Sequence, residues 1–341
     1  MQNNVHVAAR AWAVALLALV AATTPQTAHA QPAAQPYIPR DVDVPFVVSA
    51  PVVTRTMLEM AKVEKTDFVI DLGSGDGRIV FLAAQKYGAG GLGVEIDPKL
   101  VETALEDTQK LKLGNLVNFR VQNLFETDLS PATVITMYLL PDVNLQLRDK
   151  LLQLKPGTRV VSHDWDMGDW QADDMRVIQN PEKSLGMEKT SKVFLWVIPA
   201  RIAGRWCGQS QLKTVAAEKS AETITMTLDI EQRYQQLSGR LSIREGAKNT
   251  LRHIPIRTSQ VGNRFVISVG DQHLIADTDD SGITLTAEPP RPRHWAGLGN
   301  PNPLTGVTSL LQPVLLTEPV RLKRGSECED NKAGAKAATK R

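Results

Sequence analysis

The 341-residue chain has little of what several common chemistries require. It has two cysteines, Cys207 and Cys328, and no Cys-x-x-Cys, which leaves dithiol redox chemistry and a cysteine zinc site without support. Its six histidines, at 6, 29, 163, 253, 273 and 294, show no ligand spacing, so no metal centre is expected. No Gly-x-Ser-x-Gly occurs, so a serine-hydrolase elbow has no basis. The formal net charge is only +2, giving no global drive toward nucleic acid or an anionic membrane. No internal repeat or coiled-coil heptad run is present. The apolar run after Arg10 is about a dozen residues, where a membrane-spanning helix needs about twenty.

What is present begins with that short run. Arg10 precedes Ala-Trp-Ala-Val-Ala-Leu-Leu-Ala-Leu-Val-Ala-Ala, and Ala28-His29-Ala30 offers an A-x-A cleavage site. Residues 1–30 therefore read as a secretory signal peptide cut after Ala30, with an uncleaved anchor as the alternative. The expected location is exported, periplasmic or cell-envelope. An oxidising compartment makes Cys207 and Cys328 candidates for a disulfide, two free buried thiols being the other possibility. Residues 31–44 read as a linker and 329–341 as a disordered basic tail.

Between them the pattern divides in two. Over 45–199, apolar β-branched runs alternate with amphipathic segments, the signature of helices packed on a parallel, doubly wound sheet. Ser49 is expected to cap a helix starting near Pro51, with Val52, Val53, Met57, Met60 and Ala61 on one face. Further helices are expected over 78–87, over 98–113 with Gly114 as the stop, and over 142–154. Strands are expected at 67–72, 91–97, 117–121, 132–140 and 158–162, followed by a pair at 175–179 and 192–198. From Glu222 the alternation is strict: Ile224, Met226, Leu228 and Ile230 face one way and Thr223, Thr225, Thr227 and Asp229 the other. Short strands with turn residues between them continue from there, so 200–328 is expected to be a β-rich antiparallel sandwich or barrel of unknown role. The proline-rich stretch from Glu288 to Pro303 reads as a long loop or an edge segment.

The centre of the chain is Asp67-Phe-Val-Ile-Asp71-Leu-Gly73-Ser74-Gly75-Asp76-Gly77-Arg78. A buried strand runs into a tight turn and a helix N-terminus, which brings backbone close to a nucleotide-like ligand. The dinucleotide fingerprint needs its third glycine three places after the second, but here it comes after two, and Arg78 occupies the fingerprint position. An acid also precedes the first glycine. Together these residues resemble the first motif of the class I S-adenosylmethionine (SAM) methyltransferases, Asp/Glu-x-Gly-x-Gly-x-Gly.

The resemblance implies a Rossmann-like, seven-stranded α/β sheet, with a smaller C-terminal antiparallel β domain in this chain. It implies SAM (S-adenosyl-L-methionine) as the cofactor, with Asp71, Gly73, Ser74, Gly75 and Gly77 forming the turn beside it. Glu95 lies eighteen residues beyond Gly77, at the end of the second strand, where a carboxylate can accept both ribose hydroxyls. Asp97, before Pro98, suits helix capping better. Asn123 stands where the family usually carries an acid for the adenine amino group, and its carbonyl can accept that bond. Leu124 can flank the ring. Tyr138 lies at the fourth strand, where many amine methyltransferases carry an Asn/Asp-Pro-Pro-Tyr motif that this chain lacks. After the fifth strand, Ser162-His163-Asp164-Trp165-Asp166 sits on the functional rim of an open sheet. It could bind a cationic amine, with His163 or Asp164 taking its proton.

Asp71 to Arg78, Gly93-Val-Glu-Ile-Asp97, Asp128-Leu-Ser130 and Leu154-Lys-Pro-Gly157 look like exported bacterial methyltransferase-domain proteins. They are also similar to a protein-lysine methyltransferase family acting on membrane-associated subunits in mitochondria. The expectation is methyl transfer by residues 45–199 to an amine acceptor, a protein lysine among the candidates. The competing expectation is an exported, non-enzymatic interaction protein on a degenerate fold. No motif is specific for a substrate.

Overall fold

In the computed structural model the described residues are 47–184, 186–212, 222–245, 250–269, 272–288, 316 and 318–325. The expected signal peptide, the linker, the basic tail, Cys328 and nearly all of the 288–303 stretch lie outside them.

The central strands of the first sheet are short apolar runs buried on both faces, as continuous β-branched runs require, while its two edge strands are largely exposed. Its strands are β1 Phe68–Leu72, β2 Gly90–Glu95, β3 Val117–Val121, β4 Val134–Met137, β5 Arg159–His163, β6 Asp174–Gln179 and β7 Thr190–Val197. Their order is β3-β2-β1-β4-β5-β7-β6. The first five run parallel, and β7 is antiparallel to both β5 and β6. Helices α1 Pro51–Met60 and α2 Arg78–Leu82, the latter continuing as a π-turn over Ala83–Tyr87, cover one face. Met57, Leu58, Ile79 and Ala83 pack there on Val69, Val134, Val161 and Val193. A later helix, Pro141–Leu151, covers the other, with Leu147 and Leu151 on Ile70, Leu72, Ile135 and Met137. It is α4 in chain order, after α3, Pro98–Lys110, which packs Val101 and Ala104 against Val117 and Phe119.

Several boundaries differ from expectation for local reasons. The cap of α1 is Ala50, whose side chain can make no capping bond, and Ser49 is engaged elsewhere. Val52 is exposed, outside the apolar face. Helix α3 stops at Lys110 and Lys112 takes the left-handed conformation (φ 56°), so Gly114 is not the stop. Asp97 does cap α3, accepting from Lys99 N at 2.8 Å. Strand β4 is only four residues, because the chain leaves the sheet at Tyr138 to present Pro141 as the first residue of α4. Strand β5 runs one residue further than expected, since His163 still pairs with Val193 of β7. That residue is therefore in the sheet and not in the loop after it.

The second sheet has eight antiparallel strands: β8 Gly204–Leu212, β9 Glu222–Arg233, β10 Gln236–Glu245, β11 Thr250–Ser259, β12 Arg264–Val269, β13 Gln272–Asp279, β14 Gly282–Ala287 and β15 Val320–Arg324. Their order, β11-β10-β9-β8-β15-β14-β13-β12, puts the consecutive strands β11 and β12 at opposite ends. Those two also touch each other, so the sheet curls into a nearly closed barrel. Of the two architectures expected, it is the barrel. The alternating residues Ile224, Met226, Leu228 and Ile230 all point into its core. Cys207 on β8 is disulfide-bonded.

Both sheets belong to one compact unit of the chain. Polar side chains of the barrel reach the parallel sheet's rim. Trp170 Nε1 donates to Gln235 Oε1 at 3.0 Å, and Gln235 Nε2 donates to Gln171 O at 2.7 Å. The Tyr234 ring stacks on Trp170, and Arg233 joins Asp169 at 2.6 Å.

Candidate functional site

The site lies where the carboxyl ends of β1, β2, β4 and β5 meet. After Leu72 the chain makes three left-handed steps, at Gly73 (φ 73°), Gly75 (φ 52°) and Gly77 (φ 80°). L-residues with side chains avoid this region, which accounts for the alternate glycines. A β-carbon on Gly77 would stand 2.5 Å from Phe119 Cζ, so this glycine also lets α2 settle against β3. The turn is tied to β2, with Gly73 N and Ser74 N both donating to Val94 O. Gly77 begins α2, and its N–H donates to Ser74 O.

Three carboxylates surround this turn. Glu95 ends β2, and its Oε2 accepts from Gly75 N at 3.0 Å while Oε1 accepts from Ile96 N at 2.7 Å. Asp76 is paired with Arg78 at 2.6 Å, and that guanidinium holds its carboxyl below the usual range against the opposing effect of burial. Asp71 lies beneath the turn at 3% exposure and accepts from Thr136 Oγ1 at 2.6 Å. Burial pushes its pKa up to about 7; the Thr136 bond opposes the rise, and the charges of Glu95 and Asp76 add to it. Asp71 therefore acts on a ligand through its field and through the turn it supports. The Ser74 hydroxyl is buried and has no hydrogen-bond partner among the described residues. A bare-backbone cradle, an unpartnered hydroxyl and a half-buried carboxylate at the strand end fit a ligand with a ribose and a cationic amino-acid tail.

Asn123 and Leu124 follow β3. The Asn123 side-chain carbonyl accepts from Phe125 N at 3.0 Å, closing an Asx-type turn, so its role in binding adenine loses its simplest form. Leu124 is half-buried against the α4-side core.

The rim beyond β4 and β5 departs furthest from expectation. Tyr138 is half-buried, its ring 3.9 Å from that of His163 between centroids, and burial together with the Asp164 carboxylate raises its phenol pKa. A rim position would let His163 take a proton, but this residue is 1% exposed and has no free nitrogen. Nδ1 meets Ser49 Oγ at 3.0 Å and Nε2 meets Ser191 Oγ at 2.9 Å. Burial pushes its pKa down to about 4, with the nearby Asp164 opposing, so it stays a neutral bridge between α1's leading segment and β7. Ser49 is thus an orienter of His163.

Asp164 adopts a left-handed conformation (φ 61°), which Asp tolerates better than most residues. Its N–H donates to Lys192 O and its Oδ1 accepts from Lys192 N at 2.9 Å. Its Oδ2 faces Lys183 Nζ at 2.8 Å. The parts played by Thr136, Ser49 and Lys183 escape a reading of the sequence. Asp71↔Thr136 is a neighbour pair that strand register alone could have supplied, whereas nothing in the sequence singles out Lys183. Among the described residues no cluster of His, Cys, Asp and Glu could hold a metal ion, and no helix is long and apolar enough to cross a membrane.

Comparison with known proteins accords with this geometry. The ANTKMT methyltransferase domain family matches residues 71–174. A protein-lysine N-methyltransferase of Saccharolobus islandicus (strain REY15A) is 40% identical over 167 residues, which is 48% of this chain and 96% of that protein. The adenine nucleotide translocase lysine N-methyltransferase of Mus musculus is 30% identical over 135 residues, 39% of this chain and 58% of that protein. A crystal structure of an RNA methyltransferase from Salinibacter ruber in complex with S-adenosyl-L-homocysteine is 48% identical, covering 46% of this chain and 96% of that one, with a TM-score of 0.41. The chain belongs to the class I SAM-dependent methyltransferases, in the family of these protein-lysine N-methyltransferases.

Proposed function

We propose that this protein methylates the side-chain amine of a lysine in a protein acceptor, and that it does so in the cell envelope after cleavage of residues 1–30. The single observation that carries the acceptor reading is the pairing of Tyr138 with Asp164 at the rim beside the glycine turn. An aromatic wall next to a carboxylate suits a butylammonium group, and two of the three relatives named above are lysine N-methyltransferases. The leader sequence carries the reading of location, and the bonded Cys207 is consistent with it.

Bound SAM supplies an electrophilic methyl on a sulfonium that leaves as a neutral thioether. The chain's residues have the remaining tasks of binding, orienting and excluding water, which provide most of the rate when the leaving group is already good. Glu95 would hold the ribose hydroxyls, exchanging its bond to Gly75 N for them. The Gly73–Gly77 turn and Ser74 would face the amino-acid tail, with Asp71 beneath, and Leu124 and the amide of Asn123 would border the adenine. Tyr138 would line the acceptor's approach. Asp164 would receive the ammonium and take its proton, helped by a nearby positive charge and by desolvation, both of which lower an amine's pKa. His163 keeps Tyr138 and Ser191 in place as a positioning residue.

Incubating the full chain with methyl-labelled SAM and a solubilised envelope fraction tests this reading. The expected result is label in protein that hydrolyses to methyl-lysine. Label confined to nucleic acid or small molecules would refute the acceptor class.

A further inference from the structure

The Asp164 carboxylate already carries a lysine. Lys183, in the turn that follows β6, places Nζ 2.8 Å from Asp164 Oδ2, with the two side chains 17% and 11% exposed. The same ammonium donates to Thr190 O at 2.8 Å. A partly desolvated ion pair contributes little net stability, so its presence at a functional rim calls for a reason other than stability.

The turn does not need this pair to close. Asn180 N donates to Lys189 O at 2.7 Å and Lys183 N to Asn180 O at 3.1 Å. Lys189 Nζ donates to Lys183 O at 2.7 Å, and Asn180 Nδ2 to Ser191 Oγ at 3.0 Å. Nor does Asp164 need Lys183 to stay in place, since the Lys192 backbone holds it twice, its carbonyl accepting from Asp164 N and its N–H donating to Asp164 Oδ1. What the pair does achieve is to put a butylammonium group on a carboxylate that Tyr138 also faces. The neighbouring Glu182 meanwhile lies in the field of Arg78, whose guanidinium donates to Ser49 O beside the glycine turn.

We propose that Lys183 is an internal stand-in for the acceptor: in the resting protein its ammonium occupies the Asp164 seat beside Tyr138, and an acceptor lysine must displace it before methyl transfer. This inference rests on the reading of the acceptor as a lysine. An occupied seat lowers apparent affinity by the fraction of time it is free. The device therefore admits only acceptors whose flanking residues add enough binding to displace Lys183, and rejects free amines and stray lysines.

The experiment compares the full wild-type chain with Lys183→Met, Asp164→Asn and the double variant. Met keeps the length of the stem, and Asn keeps both the acceptor for Lys192 N and a left-handed backbone. Binding of n-butylammonium is measured by saturation-transfer NMR, with n-butanol as the uncharged control, and KM and kcat are measured for a lysine peptide. The expected result is roughly tenfold tighter n-butylammonium binding to Lys183→Met than to wild type, as for a seat freed from about nine-tenths occupancy. That gain should be absent with butanol, lost in the double variant, and matched by a similar fall in peptide KM.

If Lys183 is only a staple for its turn, Lys183→Met raises KM or leaves the probe binding unchanged, and the inference falls. Tighter n-butylammonium binding without methyl transfer to any lysine would support the seat while removing the acceptor reading. Transfer with a KM that Lys183→Met does not lower would do the reverse.

Discussion

Replacing Asp71 by Asn should flatten part of the protein's dependence on pH. Asp71 is enclosed beneath the glycine turn, and burial lifts its pKa from 3.8 to about 7, an effect that the Thr136 bond only partly opposes. A raised carboxylate pKa contributes stability that is fully present below the unfolded value near 4. It is lost progressively as pH rises toward about 7, because the folded chain then holds a proton that the unfolded chain has released. The full rise corresponds to about 4 kcal/mol, of which about 2–3 kcal/mol falls between pH 5 and pH 7.5. Asn keeps the shape and the acceptor for Thr136 but cannot titrate.

Urea unfolding of both proteins at pH 5 and pH 7.5 measures the difference directly. Wild type should lose about 2–3 kcal/mol relative to Asp71→Asn over that interval. A cationic ligand at the turn should also expel the proton. Calorimetry with SAM at pH 7 should accordingly release about half a proton from wild type and none from the variant, read from buffers of differing ionisation enthalpy. Parallel stability profiles for the two proteins, with equal proton release, would refute the assignment of a protonated Asp71 beneath the site.

Three further outcomes follow from the same geometry. Glu95→Ala removes the strand-end carboxylate and should weaken SAM binding by about 1–3 kcal/mol in calorimetry while the fold persists. His163→Gln should leave the pH–rate profile of transfer unchanged in shape, because a histidine held near pKa 4 stays neutral across the working range. The depressed pKa means that His163 contributes stability above its unfolded value of about 6.5 and loses it as pH falls toward 4, and the variant should lack that acid-side loss in urea unfolding. Gly77→Ala places a β-carbon on Phe119 at a left-handed position and should cost about 2–3 kcal/mol of stability, detected as a lower urea midpoint.

Much of the parallel sheet is legible in the sequence because β1, β2 and β4 are near-continuous apolar runs followed by glycine, proline or an acid. The Asp71–Arg78 turn is legible because left-handed backbone leaves glycines in a fixed spacing. The barrel shows itself through the strict alternation of Ile224 to Ile230, though alternation alone cannot tell a barrel from a sandwich. What stays hidden depends on partners distant in the chain. Ser49 looks like a helix cap, yet its hydroxyl serves His163, 114 residues away. His163 looks like a rim base, yet the antiparallel return of β7 walls it in with Ser191. Asn123 looks like an adenine acceptor, but its own turn takes the carbonyl first. Lys183 is one of many lysines until the β6–β7 turn folds back on Asp164.

The central claim is that the Gly73–Gly77 turn and Glu95 form a working SAM site in this chain. Isothermal titration of the full chain with SAM, repeated on Gly75→Arg, tests it most directly. Saturable one-site binding is expected from the wild type and none from the variant, whose side chain fills the turn at a left-handed residue. No heat from wild type at high micromolar ligand, or the same heat from both proteins, would contradict it.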